Sequence, residues 1–239
     1  MLPRSSAEEF FLFYKEVLLA IAPVSKLTKQ EIVWLGSHRC KCGHTYLEHY
    51  PCYIRENPLQ ERIGFFDTEN SALVADFGIM LCYCIKELGT DKIYHRTITP
   101  LELRTCMDKE VARQCVKDLK QFSKIITFYG SRYDFPFVRT RVVANGLPFF
   151  NYGELFHQDL WFLIRGKFKL SSNRLENACR ILLGRTEKTH INPTIWIKAL
   201  QGDIKSIEWI LDHCKRDVRD LEKLWKKTNQ FSRATKTSI

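Results

Sequence analysis

Apolar residues recur at helical spacing in some stretches of the chain and run together or alternate in others, and the two patterns divide its length. From Glu8 to Ala22, Phe10, Phe11, Tyr14, Val17, Leu18 and Ile21 fall on one face ahead of Pro23, which predicts an amphipathic helix. Ile63 to Phe66 form the short apolar run of a buried strand. Asp76–Lys86 and Lys92–Thr99 are rich in β-formers and flank the turn Leu88-Gly-Thr-Asp91. Three such strands in succession predict an antiparallel meander. Helical spacing returns over 108–122, through Val111, Cys115, Val116, Leu119 and Phe122, and Ile125–Phe128 reads as another buried strand. A helix is expected to begin near Phe135 or Pro136. Another is expected over Ser171–Leu183, with Asn173 and Glu176 in capping-box register and Gly184 as its stop. The last covers Ile204 to Thr228. A meander followed by alternating helix and strand is the order of a mixed α/β sheet with helices on its faces.

Composition narrows the function classes. A chain of 239 residues, 45% of them hydrophobic, can bury one substantial core with a small appendage. Its formal charge of +10 points to a polyanionic partner, nucleic acid or an acidic membrane surface. The basic residues are scattered, no amphipathic helix has a strongly basic face, and no apolar run approaches transmembrane length, so a membrane is disfavoured. The N-terminal Met-Leu-Pro-Arg-Ser-Ser has no secretory pattern, and nine cysteines is an odd number. Together these predict reduced thiols and a cytoplasmic setting.

The candidate chemistry begins where the first strand meets Asp67 and Glu69. Side chains two apart on a strand share a face. Two carboxylates side by side at the end of a buried strand repel each other and cost desolvation, which a cation between them offsets. Oxygen ligands of this kind suit Mg²⁺ or Mn²⁺. An isolated Asp-x-Glu is more commonly a turn acid beside a solvated one, so further acids are needed. Asp134 follows a strand and a Gly-containing turn, as an N-cap or as a member of such a site. Around it Tyr129, Tyr133, Phe135 and Phe137 interleave with Arg132, Arg139 and Arg141, as in surfaces that stack bases and pair phosphates of single-stranded nucleic acid. Asp159 opens an apolar run as a supporting group or a backbone anchor. The loop from Gly184 to His190 is basic, and its Lys188 is a phosphate-binding candidate. His213 and Asp217 are four apart and share a helical face.

A separate cluster lies upstream. Cys40, Cys42, His44, His49 and Cys52 fall within thirteen positions, beside Gly43. Zinc takes four N/S ligands in a tetrahedron, and a glycine helps the backbone wrap it. The spacing is tighter than a standard finger. The first choice of ligands is Cys40, Cys42, His49 and Cys52, with His44 as the substitute, and the expected role is structural.

Taken in order, Asp67-x-Glu69, Tyr133-Asp134 and His213-x-x-x-Asp217 resemble the three motifs of DEDD-type 3′–5′ exonucleases of the ribonuclease H-like superfamily. Within it the chain is most similar to YprB-like predicted exonucleases. The supporting stretches are Gly64-Phe-Phe-Asp-Thr-Glu, Ala75-Asp-Phe-Gly, Tyr129-Gly-Ser-Arg-Tyr-Asp-Phe-Pro-Phe, His157-Gln-Asp-Leu and Cys214-Lys-Arg-Asp-Val. The resemblance covers about residues 62–228. It departs at Tyr129, where Asn is frequent. It also departs at His213, which pairs the four-residue offset of one branch with the side chain of another. The resemblance implies a mixed five-stranded sheet flanked by helices and hydrolysis of phosphodiester bonds with two Mg²⁺ or Mn²⁺ ions. Asp67 would bridge both ions, Glu69 and Asp217 complete one, Asp134 support the other, and His213 act on the attacking water. The implied division is an N-terminal helix with a Cys/His segment over 1–61, an exonuclease domain over 62–230 and a basic tail over 231–239. Single-stranded nucleic acid is the expected substrate, DNA ahead of RNA. The competing expectations are a structure-selective endonuclease and a catalytically weak nucleic-acid-binding zinc module.

Overall fold

A computed structural model describes residues 29–49, 52, 53, 56, 62–151, 153–187 and 192–232. The helix predicted over 8–22 and residues 233–239 of the tail lie outside the described residues. The chain forms two compact units, Met1–Gln60 and Glu61–Ile239.

The first unit contains α1 (Lys29–Ser37), which neither periodicity nor capping signalled. After it the chain doubles back through a bridge between Arg39 and Thr45. The ring of Trp34 stacks on His38 at 4.1 Å and on Tyr46 at 5.8 Å, and these aromatic contacts join the helix to the turn that follows it.

The second unit runs β1 (Ile63–Asn70), β2 (Met80–Glu87), β3 (Ile93–Thr97), α2 (Pro100–Thr105), α3 (Lys109–Leu119), β4 (Lys124–Thr127), α4 (Asp134–Ala144), β5 (Phe156–Asp159), α5 (Leu160–Lys167), α6 (Leu175–Leu183), α7 (Pro193–Leu200) and α8 (Ile204–Thr228). The five strands lie in the order β3-β2-β1-β4-β5. β1, β2 and β3 pair antiparallel as the expected meander, and β4 and β5 join parallel to β1, which gives the mixed five-stranded sheet.

Helices cover both faces. α8 lies across β1 and β2, with α6 and α7 packed on it. Its Ile207, Ile210, Cys214, Val218, Leu221 and Leu224 are all buried, at the three- and four-residue steps that build one face. On the other face α3 packs on β2 and β3, and the Tyr83 hydroxyl donates to Asp118 at 2.5 Å. Gly64 is where the sheet is tightest. A Cβ there would meet Ile85 at 2.6 Å and Ile125 at 2.8 Å, so the strand before the acids has room only for hydrogen.

β1 carries both acids and continues to Asn70, because β2 pairs with it along that length, with a register slip between Glu69 and Asn70. One expectation needs correction. The predicted capping box of Asn173 with Glu176 is absent: α6 begins at Leu175, its N-cap is Arg174, and no side chain caps it. Gly184 does stop that helix, in a left-handed conformation at φ 76°. Three short helices of the second unit were not expected, α2, α5 and α7. α2 and α7 start at a proline after a capping residue, Thr99 and Asn192, and α5 follows its N-cap Asp159.

Candidate active site

Asp67 and Glu69 stand on the face of β1 that α8 covers. In the sheet register they lie across from Cys84 and Cys82 of β2. The Cys214 thiol on α8 donates to the Asp67 carbonyl at 3.5 Å and pins helix to strand. Burial pushes the Cys82 thiol up to about 11, and Cys214 is also raised well above the ordinary range. These thiols therefore stay protonated and serve as packing beneath the acids.

His213 and Asp217 lie one turn apart on α8 and are almost fully buried, at 2% and 4% exposure. The His213 Nε2 is 3.5 Å from Glu69 Oε1. Candidate ligand atoms of Glu69, His213 and Asp217 all lie within 4.8 Å of one another. Two carboxylates and an imidazole gathered at a buried spot are costly without a cation, and a donor set dominated by carboxylate oxygen fits Mg²⁺ or Mn²⁺. Trp209, one turn earlier on α8, stacks parallel on the imidazole with centroids 5.4 Å apart. Trp196 of α7 sets its edge against the same ring at 6.2 Å. The side chain at the four-residue offset is thus braced by two indoles. Neither tryptophan was singled out from sequence, although Trp209 stands four residues before His213, the spacing that signals a shared face.

Asp67 and Asp134 are not in that set. Asp134 is not the N-cap of α4, a position held by Tyr133; it occupies the first turn. β4 pairs with β1 only as far as Phe65, so β1 outruns it and leaves the Thr68 amide to find another acceptor. Asp134 supplies it. Its Oδ1 accepts from the Thr68 amide at 3.1 Å and the Thr68 hydroxyl at 2.6 Å. Thr68 lies between the two acids of β1 and projects to the opposite face. Burial pushes the Asp134 carboxyl up to about 6, against the lowering effect of the Thr68 donors. Asp159 is the backbone anchor: it caps α5 at Trp161 and accepts from the amides of Tyr129 and Ser131 and from the Ser131 hydroxyl.

The candidate nucleic-acid residues separate in the structure. Tyr129, Arg132 and Arg139 are exposed, and Arg139 lies over the Phe149 ring. Phe135 is a correction. It is 1% exposed, packed between Phe66 and His157, and has no face for a base. Tyr133 is half-buried and donates its hydroxyl to the Ala72 carbonyl at 3.2 Å. Arg141 turns inward to the fully buried Asp108, which it meets through two nitrogens at 2.8 Å. Lys188 lies outside the described residues.

The upstream cluster gathers four of its five candidates. Ligand atoms of Cys40, Cys42, His49 and Cys52 lie within 4.8 Å of one another, and His44 is not in the set. Cys40 Sγ is 3.7 Å from His49 Nδ1, and Cys42 Sγ is 3.8 Å from Cys52 Sγ. A tetrahedron with Zn–S bonds of about 2.3 Å has edges of about 3.8 Å. Gly43 takes φ 85° between Cys42 and His44. That turn aims the amides of Cys42 and His44 at the Cys40 sulfur; burial alone would raise this thiol, but those donors bring it below its ordinary value. The donor set and spacing therefore fit zinc.

Residues 64–229 match the family model RNase_H_2, described as RNase_H superfamily. No curated protein sequence matches the chain. Among solved structures the chain is similar in fold to the family B DNA polymerase from the hyperthermophilic archaeon Pyrobaculum calidifontis. The TM-score is 0.56 at 17% identity, over 70% of this chain and 24% of that one, so the chain corresponds to about a quarter of the polymerase.

Proposed function

The chain belongs to the RNase_H superfamily, and on that premise we propose that it is a metal-dependent nuclease, a DEDD-type 3′–5′ exonuclease of the YprB-like kind. Its substrate is single-stranded nucleic acid, DNA ahead of RNA. The observation that carries the proposal is the convergence of Glu69 from the first strand with His213 and Asp217 from the last helix, at mutual distances within 4.8 Å. Packing that hydrophobic residues would serve better is instead given to acids and an imidazole.

In this reading Asp67, Glu69, Asp134 and Asp217 hold two Mg²⁺ or Mn²⁺ ions. When bound, such ions supply Lewis acidity to the attacking water and to the leaving 3′-oxygen. His213 takes the proton from water as the new P–O bond forms and the P–O3′ bond breaks, and Glu69 beside it stabilises the imidazolium. Trp209 and Trp196 keep the ring from rotating away. Thr68 holds Asp134 at the overhang of β1. The nuclease domain is assigned to residues 62–230. The segment 1–61 is assigned one structural zinc on Cys40, Cys42, His49 and Cys52, and its reduced thiols suit a cytoplasmic setting.

The mode of cleavage is tested with a circular and a linear single strand of one sequence, the linear form carrying a 5′ label. An exonuclease leaves the circle intact and shortens the linear strand from its 3′ end in single-nucleotide steps. Opening of the circle would replace this reading with an endonuclease.

A further inference from the structure

Tyr129 follows β4 at the edge of the sheet where the parallel strands β1, β4 and β5 all end, the edge that also carries Asp134 and Asp159. Its backbone sits at φ 71°, a region a bulky side chain enters only at a cost. Three contacts hold it there. Asp159 accepts from the amides on either side of Gly130, at Tyr129 (2.8 Å) and Ser131 (3.0 Å). Gly130 itself lies so close to Thr127 that no side chain fits. The third contact is the ring of Trp161, which meets the tyrosine ring edge-on at 5.0 Å. Strain of this kind persists where the surrounding structure over-determines it, and it concentrates at functional sites.

That ring contact covers only part of the tyrosine, which stays 44% exposed. Phe162, edge-on to Trp161 at 4.9 Å, is 47% exposed. Arg165 lays its guanidinium over Trp161 at 5.0 Å and is itself exposed. Two accessible aromatic rings and a cation thus share one tryptophan as their support, in a chain of net charge +10. A flat ring offers a π-face to any base, and an arginine next to it meets the phosphate that follows.

We propose that Tyr129 and Phe162, buttressed by Trp161 and Asp159 and flanked by Arg165, form a stacking platform for unpaired nucleobases. The platform makes an unpaired strand the ligand of this edge, whatever its base sequence. It rests on the nuclease reading for its purpose but not for its test.

The test is binding of a short fluorescent oligothymidylate or oligouridylate in EDTA, where no cleavage occurs, followed by fluorescence anisotropy. Tyr129→Gly is the informative variant, because glycine adopts a positive φ freely. It should keep or raise the melting temperature while weakening binding roughly 5- to 150-fold, the equivalent of about 1–3 kcal/mol per stacked base. Phe162→Ala, at an exposed position, should weaken binding in the same range, and Tyr129→Phe should stay near wild type. Affinity for a blunt duplex should not move. Wild-type affinity in both Tyr129→Gly and Phe162→Ala would overturn the platform, as would an equal loss for duplex and single strand. The two readings fail separately. A strand bound through these rings but never cleaved upholds the platform and removes the nuclease. Cleavage with an unchanged KM in Tyr129→Gly does the reverse.

Discussion

Replacing Thr68 with valine isolates the device that keeps Asp134 ionisable. Thr68 gives Asp134 two hydrogen bonds, from its amide at 3.1 Å and its hydroxyl at 2.6 Å. Valine keeps the shape and the amide and deletes only the hydroxyl. A hydrogen bond to a charged group contributes ~1.5–3 kcal/mol, and one pKa unit corresponds to ~1.4 kcal/mol. Asp134, held at about 6 by burial in the native protein, should therefore titrate roughly one to two units higher in the variant. The folded pKa lies above the unfolded value of about 3.9, so burying the anion costs stability above the folded pKa, and that cost is absent below the unfolded one. At about pH 5 both proteins keep Asp134 protonated, and Thr68→Val should be nearly neutral. At about pH 9 both keep it ionised, and the variant should be less stable by a further ~1.5–3 kcal/mol. Urea denaturation at the two pH values, in EDTA so that bound metal does not contribute, measures the difference directly. An equal penalty at both would refute the hydroxyl–carboxylate bond, and a larger penalty in acid would contradict the sign.

Other expectations follow from the same geometry. Burial lowers His157 to about 4, below its unfolded value of about 6.5. Stability present above that value is then lost as pH falls through the folded pKa, by ~3 kcal/mol in all. Asp134 acts in the opposite direction over the same range, so the measurement is the stability of wild type relative to His157→Gln, which should fall by that amount from about pH 7 to about pH 4. Arg141→Met leaves the fully buried Asp108 without its cation and should cost ~3–5 kcal/mol in chemical denaturation, with part recovered on adding Asp108→Asn. Metal analysis of purified protein should find one zinc, lost in Cys52→Ser and kept in His44→Ala; the reverse result would move the ligand set.

How much was legible in the sequence depended on how local each signal was. The long final helix could be read to its ends because its apolar period runs unbroken and is bounded by Asp203 at the N-cap, where it accepts from Ser206. The meander could be read from β-formers and one glycine turn. Helices α2 and α7 were not, since eight residues or fewer show little periodicity and only a cap and a proline announce them. Among the candidate residues, those defined by spacing within one element, Glu69 with Asp67 and His213 with Asp217, could be placed on a common face. What linear order could not show was which aromatic ring turns inward. Tyr129 and Phe135 read alike in sequence, yet one is displayed on a strained turn and the other fills the core against Phe66. Thr68 was invisible for a different reason: its role exists only because β1 outruns β4.

Under the proposed function, the acids on β1 and α8 perform metal-dependent phosphodiester hydrolysis. Its most direct measurement is the rate of nucleotide release from a 5′-labelled single strand with Mg²⁺, Mn²⁺ or EDTA, for wild type beside Asp67→Ala and Asp217→Asn. Release is expected with either ion and not with EDTA, and both variants should lose nearly all activity while their folding remains cooperative. Release that persists in EDTA, or that survives both substitutions, would contradict it.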